Sequence, residues 1–478
     1  MKDENARERV RPGTNRGASA LRVLHPAGRR LGRRIRGLPS PWAALAICGI
    51  ALALSPVAHA RLTLMHGFAD YTSALLWVQT DEPSTVDVSW RTDGETADRH
   101  ASFEARADNA NVVVARLTGL APGKTVAYIV TGDHDRREGT LRTAPYWAKA
   151  EDARDITIAF GSCFFLADPN PIWGGQSYGS GFEIFDAIAA KKPDVMVWMG
   201  DNLYYQTPDE LDPSMMAFRY RRQRTFGPLQ NLLTATSQLA LWDDHDYGPN
   251  DADLSYVMKG ESLTLFKRYW ANPSFGLPEV PGVFGYARFG DIDIFLLDDR
   301  YYRSANQLLD GPDKTMFGAA QMTWLRSALV YSSAPLKLVV NGTQMWNSAN
   351  RFEAFGRYAT EQKAFARWLV DQRIEGVVFL TGDRHFSELI RIERPGAYPL
   401  YEFTSSPLTS RPWDNPPAEE RTNPDIVPGT LVFKRQFGMI RVTGPGNDRH
   451  LALESYDQKG ELQWRQEIRA RDLKFPEK

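Results

Sequence analysis

Cysteine is almost missing from this chain: two among 478 residues, Cys48 and Cys163. Cys48 lies in a basic and apolar opening segment, so once that segment is removed only Cys163 remains and an intramolecular disulfide is excluded. Histidine is scarce too, with eight in all. No run is apolar for long enough to span a bilayer. The stretch Trp42–Leu54, about 13 residues, cannot cross ~30 Å of hydrocarbon at ~1.5 Å per residue. There is no internal repeat and no collagenous or low-complexity bias. The glycines at Gly174-Gly175 and Gly179-x-Gly181 are not followed by Gly-Lys-Ser/Thr, which argues against a P-loop cradle for nucleotides.

What is present points to an exported globular protein. The composition, 43% hydrophobic and 24% charged, is that of a chain with a full core, and the length suits two domains better than one. Residues 1–60 hold Lys2 and ten arginines against Asp3, Glu4 and Glu8, then the apolar stretch, then Ala58-His59-Ala60. A basic region, a short apolar region and small residues spaced A-x-A describe a signal peptide cleaved after Ala60, with a membrane anchor as the alternative. The pairs Arg29-Arg30 and Arg33-Arg34 suggest twin-arginine export, to the periplasm or beyond. Without this segment Lys+Arg falls to 46 against 55 Asp+Glu, a net charge of about −9. So acidic a surface has no general affinity for nucleic acid or anionic lipid. The expected partner is a small molecule, and the expected state is a monomer without a transmembrane span.

Residues 61–147 read as an all-β sandwich. Ala74–Val78, Val86–Trp90, Val112–Ala115 and Val126–Val130 are short strands separated by Gly, Pro, Asp and Asn. Leu117–Gly123 followed by Tyr128 resembles the corner of fibronectin type III modules, where a tyrosine hydroxyl pins the Pro-Gly turn. From about residue 150 to 470 the rhythm changes. Ile156–Phe160, Val195–Met199, Leu239–Trp242, Ile292–Leu297, Lys337–Val340 and Gly376–Thr381 are apolar runs suited to strands covered on both faces. Helical stretches (181–191, 320–329, 360–373) alternate with them. Three antiparallel strands, Gly438–Val442, Leu451–Tyr456 and Leu462–Ile468, end the chain. The fold class is α/β (α+β), a catalytic domain behind a sandwich.

Several of the buried strands run into ligand-type residues: Gly161-Ser162-Cys163, Gly200-Asp201-Asn202-Leu203-Tyr204, Asp243-Asp244-His245-Asp246 and Gly382-Asp383-Arg384-His385. Crevices in open α/β sheets lie beyond the carboxyl ends of strands, so these groups are expected to converge. The histidines sharpen this. His25 and His59 lie in the leader, His66, His100 and His134 in the sandwich, and His450 in the tail. His245 and His385, the two of the α/β region, both fall in these segments, as does Cys163.

Gly-Ser-Cys, Gly-Asp-x-x-Tyr, Trp-Asp-Asp-His-Asp and Gly-Asp-Arg-His, with Leu297–Arg303, Gly318–Leu325 and Glu402–Leu408, resemble the PhoD-like (alkaline phosphatase D) family of the metallophosphoesterase superfamily. The chain departs from the wider superfamily in lacking an Asp-x-His opening and a Gly-His-x-His closing. The resemblance implies a four-layer αββα catalytic domain that hydrolyses phosphate mono- and/or diesters, with iron(III) beside calcium between two sheets. It places iron on Cys163, Asp201, Tyr204 and His385. Calcium falls to Asp201, Asp383 and an asparagine near Asn250, with Asp244 as a further ligand. Thiolate, phenolate and carboxylate suit a trivalent ion, and carboxylate with amide suits calcium. The metals would polarise the phosphoryl group and supply hydroxide. His245, beside Asp244, would protonate the leaving oxygen or steady the phosphoryl group, and Arg300, with Arg303, could fork onto phosphate oxygens or pair structurally with Asp298 or Asp299. Asn202 could bind the second metal or fill its turn. Trp173, Tyr178, Trp270 and Trp346 are cleft or core residues. Family members carry an Arg-ending Met-Pro segment where this chain has Arg268–Phe275, which puts that substrate contact in doubt. Two other functions compete: a dedicated phospholipase-like phosphodiesterase, and an inactive surface binding protein.

Overall fold

In a computed structural model, residues 62–132, 135–167 and 179–476 are described. The leader, His134, Trp173 and Tyr178 lie outside them. Seven strands come first: β1 (Thr63–Ala69), β2 (Ala74–Gln79), β3 (Ser84–Thr92), β4 (Arg99–Ala105), β5 (Val112–Leu117), β6 (Thr125–Thr131) and β7 (Arg136–Arg142). They form two antiparallel sheets, β1-β2-β5 and β4-β3-β6-β7. β3 and β6 bury alternate residues, as strands with one wet face do. β1 and β2 are buried throughout. One face of their sheet (Leu64, Leu76, Val78) fills the sandwich, and the other (Met65, Phe68, Leu75, Trp77) joins the core of the α/β region. Apolar residues at consecutive positions in Ala74–Val78 therefore have a partner on each side. Main-chain and side-chain bonds fasten this face: Phe68 N–H to Ala271 O at 3.1 Å, the Trp77 indole to Arg268 O at 2.8 Å.

Twelve further strands build the site: β8 (Ile156–Gly161), β9 (Val195–Met199), β10 (Ser237–Leu241), β11 (Gly285–Phe289), β12 (Ile292–Leu296), β13 (Leu336–Val340), β14 (Val377–Thr381), β15 (Ser387–Ile392), β16 (Leu400–Ser405), β17 (Gln436–Thr443), β18 (His450–Asp457) and β19 (Leu462–Arg469). They form two six-stranded mixed sheets, β10-β9-β8-β17-β18-β19 and β11-β12-β13-β14-β16-β15. Inner residues of both (Ile158, Phe160, Leu338, Leu380, Phe403, Ile440) share one core. Outside the first sheet lie α1 (Ile184–Ala190), α2 (Pro213–Arg224), α3 (Gln230–Ala235), the single turn α4 (Asp244–Tyr247) and α5 (Lys259–Tyr269). Outside the second lie α6 (Ala319–Tyr331) and α7 (Ala359–Asp371), which bury Leu325, Leu329, Phe365 and Leu369 against Phe295, Val339 and Phe379. The result is mixed α/β with four layers, as expected. Among the described residues no helix is long and apolar enough to cross a membrane.

The sandwich corner differs from the expectation. Gly123 does make the turn, with φ +65° and its N–H on Ala144 O. Tyr128, however, points into the sandwich, and its hydroxyl meets His66 Nε2 at 2.8 Å. Tyr128 lies on β6 facing the inner layer, so its side chain reaches β1 instead of the turn.

Candidate active site

β8, β9 and β10 run parallel, as do β12, β13, β14 and β16. Their carboxyl ends therefore gather at one end of the two-sheet core. β8 delivers Cys163, β9 Asp201 and Tyr204, β10 Asp244 and His245, and β14 Asp383 and His385. The approach is close: a Cβ on Gly200 (φ +84°) would lie 2.5 Å from that of Asp243, and one on Gly382 would overlap the Ser162 hydroxyl. Cys163, Asp201, Asp383 and His385 all hold left-handed backbone, with φ between +50° and +67°. Non-glycine residues pay for this conformation, on the order of 1–2 kcal/mol each, and the surrounding bonds must hold them in it. Asp246 does so for Asp201: its carboxylate accepts from the N–H groups of Asp201 at 3.2 Å, Asn202 at 3.1 Å and Asp243 at 2.7 Å.

Four donors surround one point. Cys163 Sγ lies 3.4 Å from Asp201 Oδ2, Tyr204 Oη 3.1 Å from the same oxygen, and His385 Nε2 3.5 Å from Tyr204 Oη. Ligand atoms of Cys163, Asp201 and His385 fall within 4.8 Å of one another, and so do those of Asp201, Asp244 and His245. Asp201 belongs to both groups, which is the position of a bridging ligand. Asp383 and Asn250 line the same cleft, about 570 Å³ in volume, together with Asp251, Arg384 and Arg411–Asn415. Asp383 Oδ2 is buried without a hydrogen-bond partner.

The donors hold their protons tightly. Burial pushes the Cys163 thiol up to about 12 and raises Tyr204 and Asp201 well above their ordinary values, with neighbouring anions adding to the last two. Burial also raises Asp383 to about 7 and lowers His385 to about 4. The main chain of Arg411 hydrogen bonds the His385 ring, which orients it. Asp244 is the exception: burial would raise it, but His245 and Arg300 outweigh that and hold it low. Anionic donors crowded at this spacing, one oxygen unpaired, fit a multivalent cation replacing their protons. A thiol, phenol, carboxylates, imidazole and an amide are all metal-ligating groups, so the residues present fit bound metal ions.

Several expected site residues lie elsewhere. Arg300 does not reach the cleft. It is fully buried, its Nε 2.7 Å from Asp243 and its guanidinium also against Glu353, at 2.6 Å. Arg303 is buried on Glu353 as well, at 2.7 Å. Their partners are thus Asp243 and Glu353 more than the adjacent acids. Asp298 instead accepts from the Trp242 indole and the N–H groups of Val283, Arg300 and Tyr301. Asn202 fills its turn, donating to Leu241 O and Asp246, both at 2.7 Å. Trp270 and Trp346 are core residues. The segment 268–275 lies against the sandwich. Asp251 and the whole segment Arg411–Asn415 line the cleft without having been expected there; the proximity of Asp251 to Asp244 follows from its N–H bond to that carboxylate at 2.9 Å, and Trp413 is the large ring of the segment. The acidic run after Asp244-His245 hinted at the first; nothing local announces the second.

Residues 279–448 match the family described as PhoD-like phosphatase, and residues 64–140 match a domain of unknown function (DUF7800). A solved structure of PhoD resembles this fold with a TM-score of 0.69 at 18% identity, covering 85% of this chain and 91% of that one. Purple acid phosphatase PPD1 from seeds of yellow lupin (Lupinus luteus) gives 0.59 at 10% identity, covering 86% and 75%. No curated protein matches the chain significantly. The family match takes in Asp383 and His385. Cys163, Asp201 and Asp244 lie before it, in the part where the likeness is one of fold.

Proposed function

We propose that the chain is an exported, metal-dependent hydrolase of phosphate mono- and/or diesters that works in the cleft between Asp201 and His385; the PhoD-like phosphatase match over residues 279–448 and the likeness in fold to PhoD support this reading. The observation that carries this is the double donor set sharing Asp201. Iron(III) is assigned to Cys163, Asp201, Tyr204 and His385, and calcium to Asp201, Asp383 and Asn250, with Asp244 alongside. When bound, such ions neutralise phosphoryl charge and acidify water.

The chain's own residues supply the rest. The aspartates on the wall would repel a phosphate dianion, so the site selects phosphate only through the cations it gathers. His245 packs against Tyr204 with ring centroids 4.2 Å apart and the planes tilted by 34°, which holds the imidazole at the cleft. Burial lowers its pKa and the Asp244 carboxylate opposes that, so a phosphate entering beside Asp244 favours the protonated ring. That proton is then available to the departing alkoxide oxygen. Asp244 holds the ring's charge and is not itself the acid.

The test joins elemental analysis to a panel of nitrophenyl mono- and diesters. Iron and calcium with hydrolysis lost on chelation are expected, along with visible colour from phenolate on iron(III). A colourless, fully active zinc protein defeats the assignment. Cys163→Ser should lower iron content and cost turnover at least ~100-fold, at or above the usual loss for outer partners of a metal; near-normal iron returns Cys163 to a packing role. Export predicts a mature chain beginning at Arg61, read by N-terminal sequencing.

A further inference from the structure

The cleft is larger than a phosphoryl group needs, and one wall of it is built from a segment that uses no metal ligand. After β16 the chain runs as a strap along the cleft, where Arg411–Asn415 line it. Thr409 and Ser410 donate their N–H groups to Cys163 O at 3.3 and 3.1 Å, and Trp413 donates its own to His385 O at 3.0 Å. The strap is therefore tied through its backbone to two expected iron ligands. Trp413 cannot move far from the reaction centre, and side-chain substitutions leave that tie in place.

The ring it presents is unusually well supported. Trp413 and Phe352 meet edge to face, with centroids 5.3 Å apart. The Arg384 guanidinium lies 4.8 Å from both centroids and pairs with Glu420. Phe352 is 47% exposed although it stands beside a polar cleft. Of the cations lining the cleft, Arg384 is paired with Glu420 and Arg411 with Asp414. Discrimination among esters on this wall must then come from flat apolar contact more than from charge. An indole backed by a cation, on the cleft wall and tied through its backbone to His385, is a stacking platform.

We propose that Trp413, supported by Phe352 and Arg384, is a specificity subsite that stacks a planar aromatic substituent of the phosphate ester, so that the enzyme prefers aryl and nucleoside-like esters to alkyl ones. This rests on the phosphate-ester reading of the cleft. It goes further by naming the organic part of the substrate.

Phenylphosphonate and methylphosphonate test it, because neither is hydrolysed and they differ in the ring. Each is measured as a competitive inhibitor of nitrophenyl phosphate hydrolysis by the metal-loaded protein. Wild type should bind the phenyl compound about tenfold more tightly, the lower range of aromatic stacking on a protein ring. In Trp413→Ala that ratio should fall to near one, and in Trp413→Phe most of it should remain. Metal content is determined for each variant; Trp413→Leu replaces Trp413→Ala, and Trp413→Tyr replaces Trp413→Phe, where the first choice has lost metal. Equal inhibition of wild type by the two phosphonates overturns the subsite, as does a ratio that survives in Trp413→Ala. A wild type that hydrolyses no phosphate ester fails earlier, and that result strikes the function and not the ring.

Discussion

His66 in the sandwich and His385 at the strand ends are both pushed down to about 4 by burial. Their surroundings differ in kind. His66 meets the Tyr128 hydroxyl inside apolar walls, and the two rings stand edge to face at 5.5 Å. His385 stands beside Tyr204, near His245 and Asp244, in a loop whose backbone is left-handed at Asp383 and again at His385. Both environments keep an imidazole neutral, and only the second leaves other donors unsatisfied around it. A neutral buried histidine is thus an ordinary core group in one region and a prospective ligand in the other. Unpaired carboxylates and strained backbone distinguish them, and the shift itself does not.

The sharpest way to break that contrast is to relieve the strand-end cluster. Burial, with Asp244 and Glu353 adding to it, raises Asp383 to about 7. Its folded pKa lies above the unfolded value, so in chelated protein this group's contribution is fully present at low pH and is lost as pH rises from about 4 to 7. Asp383→Asn removes the buried charge without changing the shape. At pH 8 we expect the chelated variant to be more stable than chelated wild type by about 1–2 kcal/mol, and to lose at least ~100-fold in turnover when metals are restored. Calcium should raise the unfolding midpoint of wild type and leave that of the variant nearly unmoved. Equal midpoints without metal would show that the cluster is not under electrostatic load.

Arg300 gives the largest effect on stability. Were it a phosphate fork, Arg300→Ala would raise KM and spare stability. Buried between Asp243 and Glu353, it should instead do the reverse, leaving Asp243 uncompensated and Glu353 with Arg303 alone, at a cost of roughly 3–5 kcal/mol in denaturant unfolding. Arg300→Lys should recover only part of this, since an ammonium cannot span both acids. A variant of unchanged stability with a raised KM would return the arginine to the cleft.

These placements show where sequence was a sufficient guide. Cys163, Asp201, Asp244, His245, Asp383 and His385 could be grouped because each follows a buried parallel strand, and strand direction alone brings such ends together. Most strands were legible for the same reason: Val195–Met199 is apolar at every position and lies between two neighbours. Arg300 was not legible, because an arginine after Asp298-Asp299 gives no sign of whether Glu353, fifty-three residues on, will reach it. Trp413 was hidden more deeply. Its strap has no period, and one main-chain bond to His385 decides its position. Tyr128 was misassigned because the Pro-Gly corner is read locally, whereas its hydroxyl answers to a residue 62 positions earlier.

The smallest effect belongs to the sandwich and should leave catalysis untouched. His66 titrates near 6.5 when unfolded and near 4 when folded. Between those values the unfolded chain binds a proton that the folded chain refuses, so stability rises with pH across this window and is lost as pH falls. The penalty is negligible above pH 7, reaches about 2 kcal/mol at pH 5, and levels off near 3 kcal/mol below pH 4. Other groups titrate over the same range, the strand-end carboxylates among them, so the total curve says little by itself. His66→Gln isolates the contribution: the amide can still bond the Tyr128 hydroxyl and carries no titrating proton. The difference in unfolding free energy between wild type and variant, followed from pH 7.5 to pH 5, should change by about 2 kcal/mol in the variant's favour. Metal content and turnover at pH 8 should be alike in the two proteins. A difference that stays flat with pH would mean that His66 carries its proton inside the sandwich and that the two buried histidines are not alike even in charge.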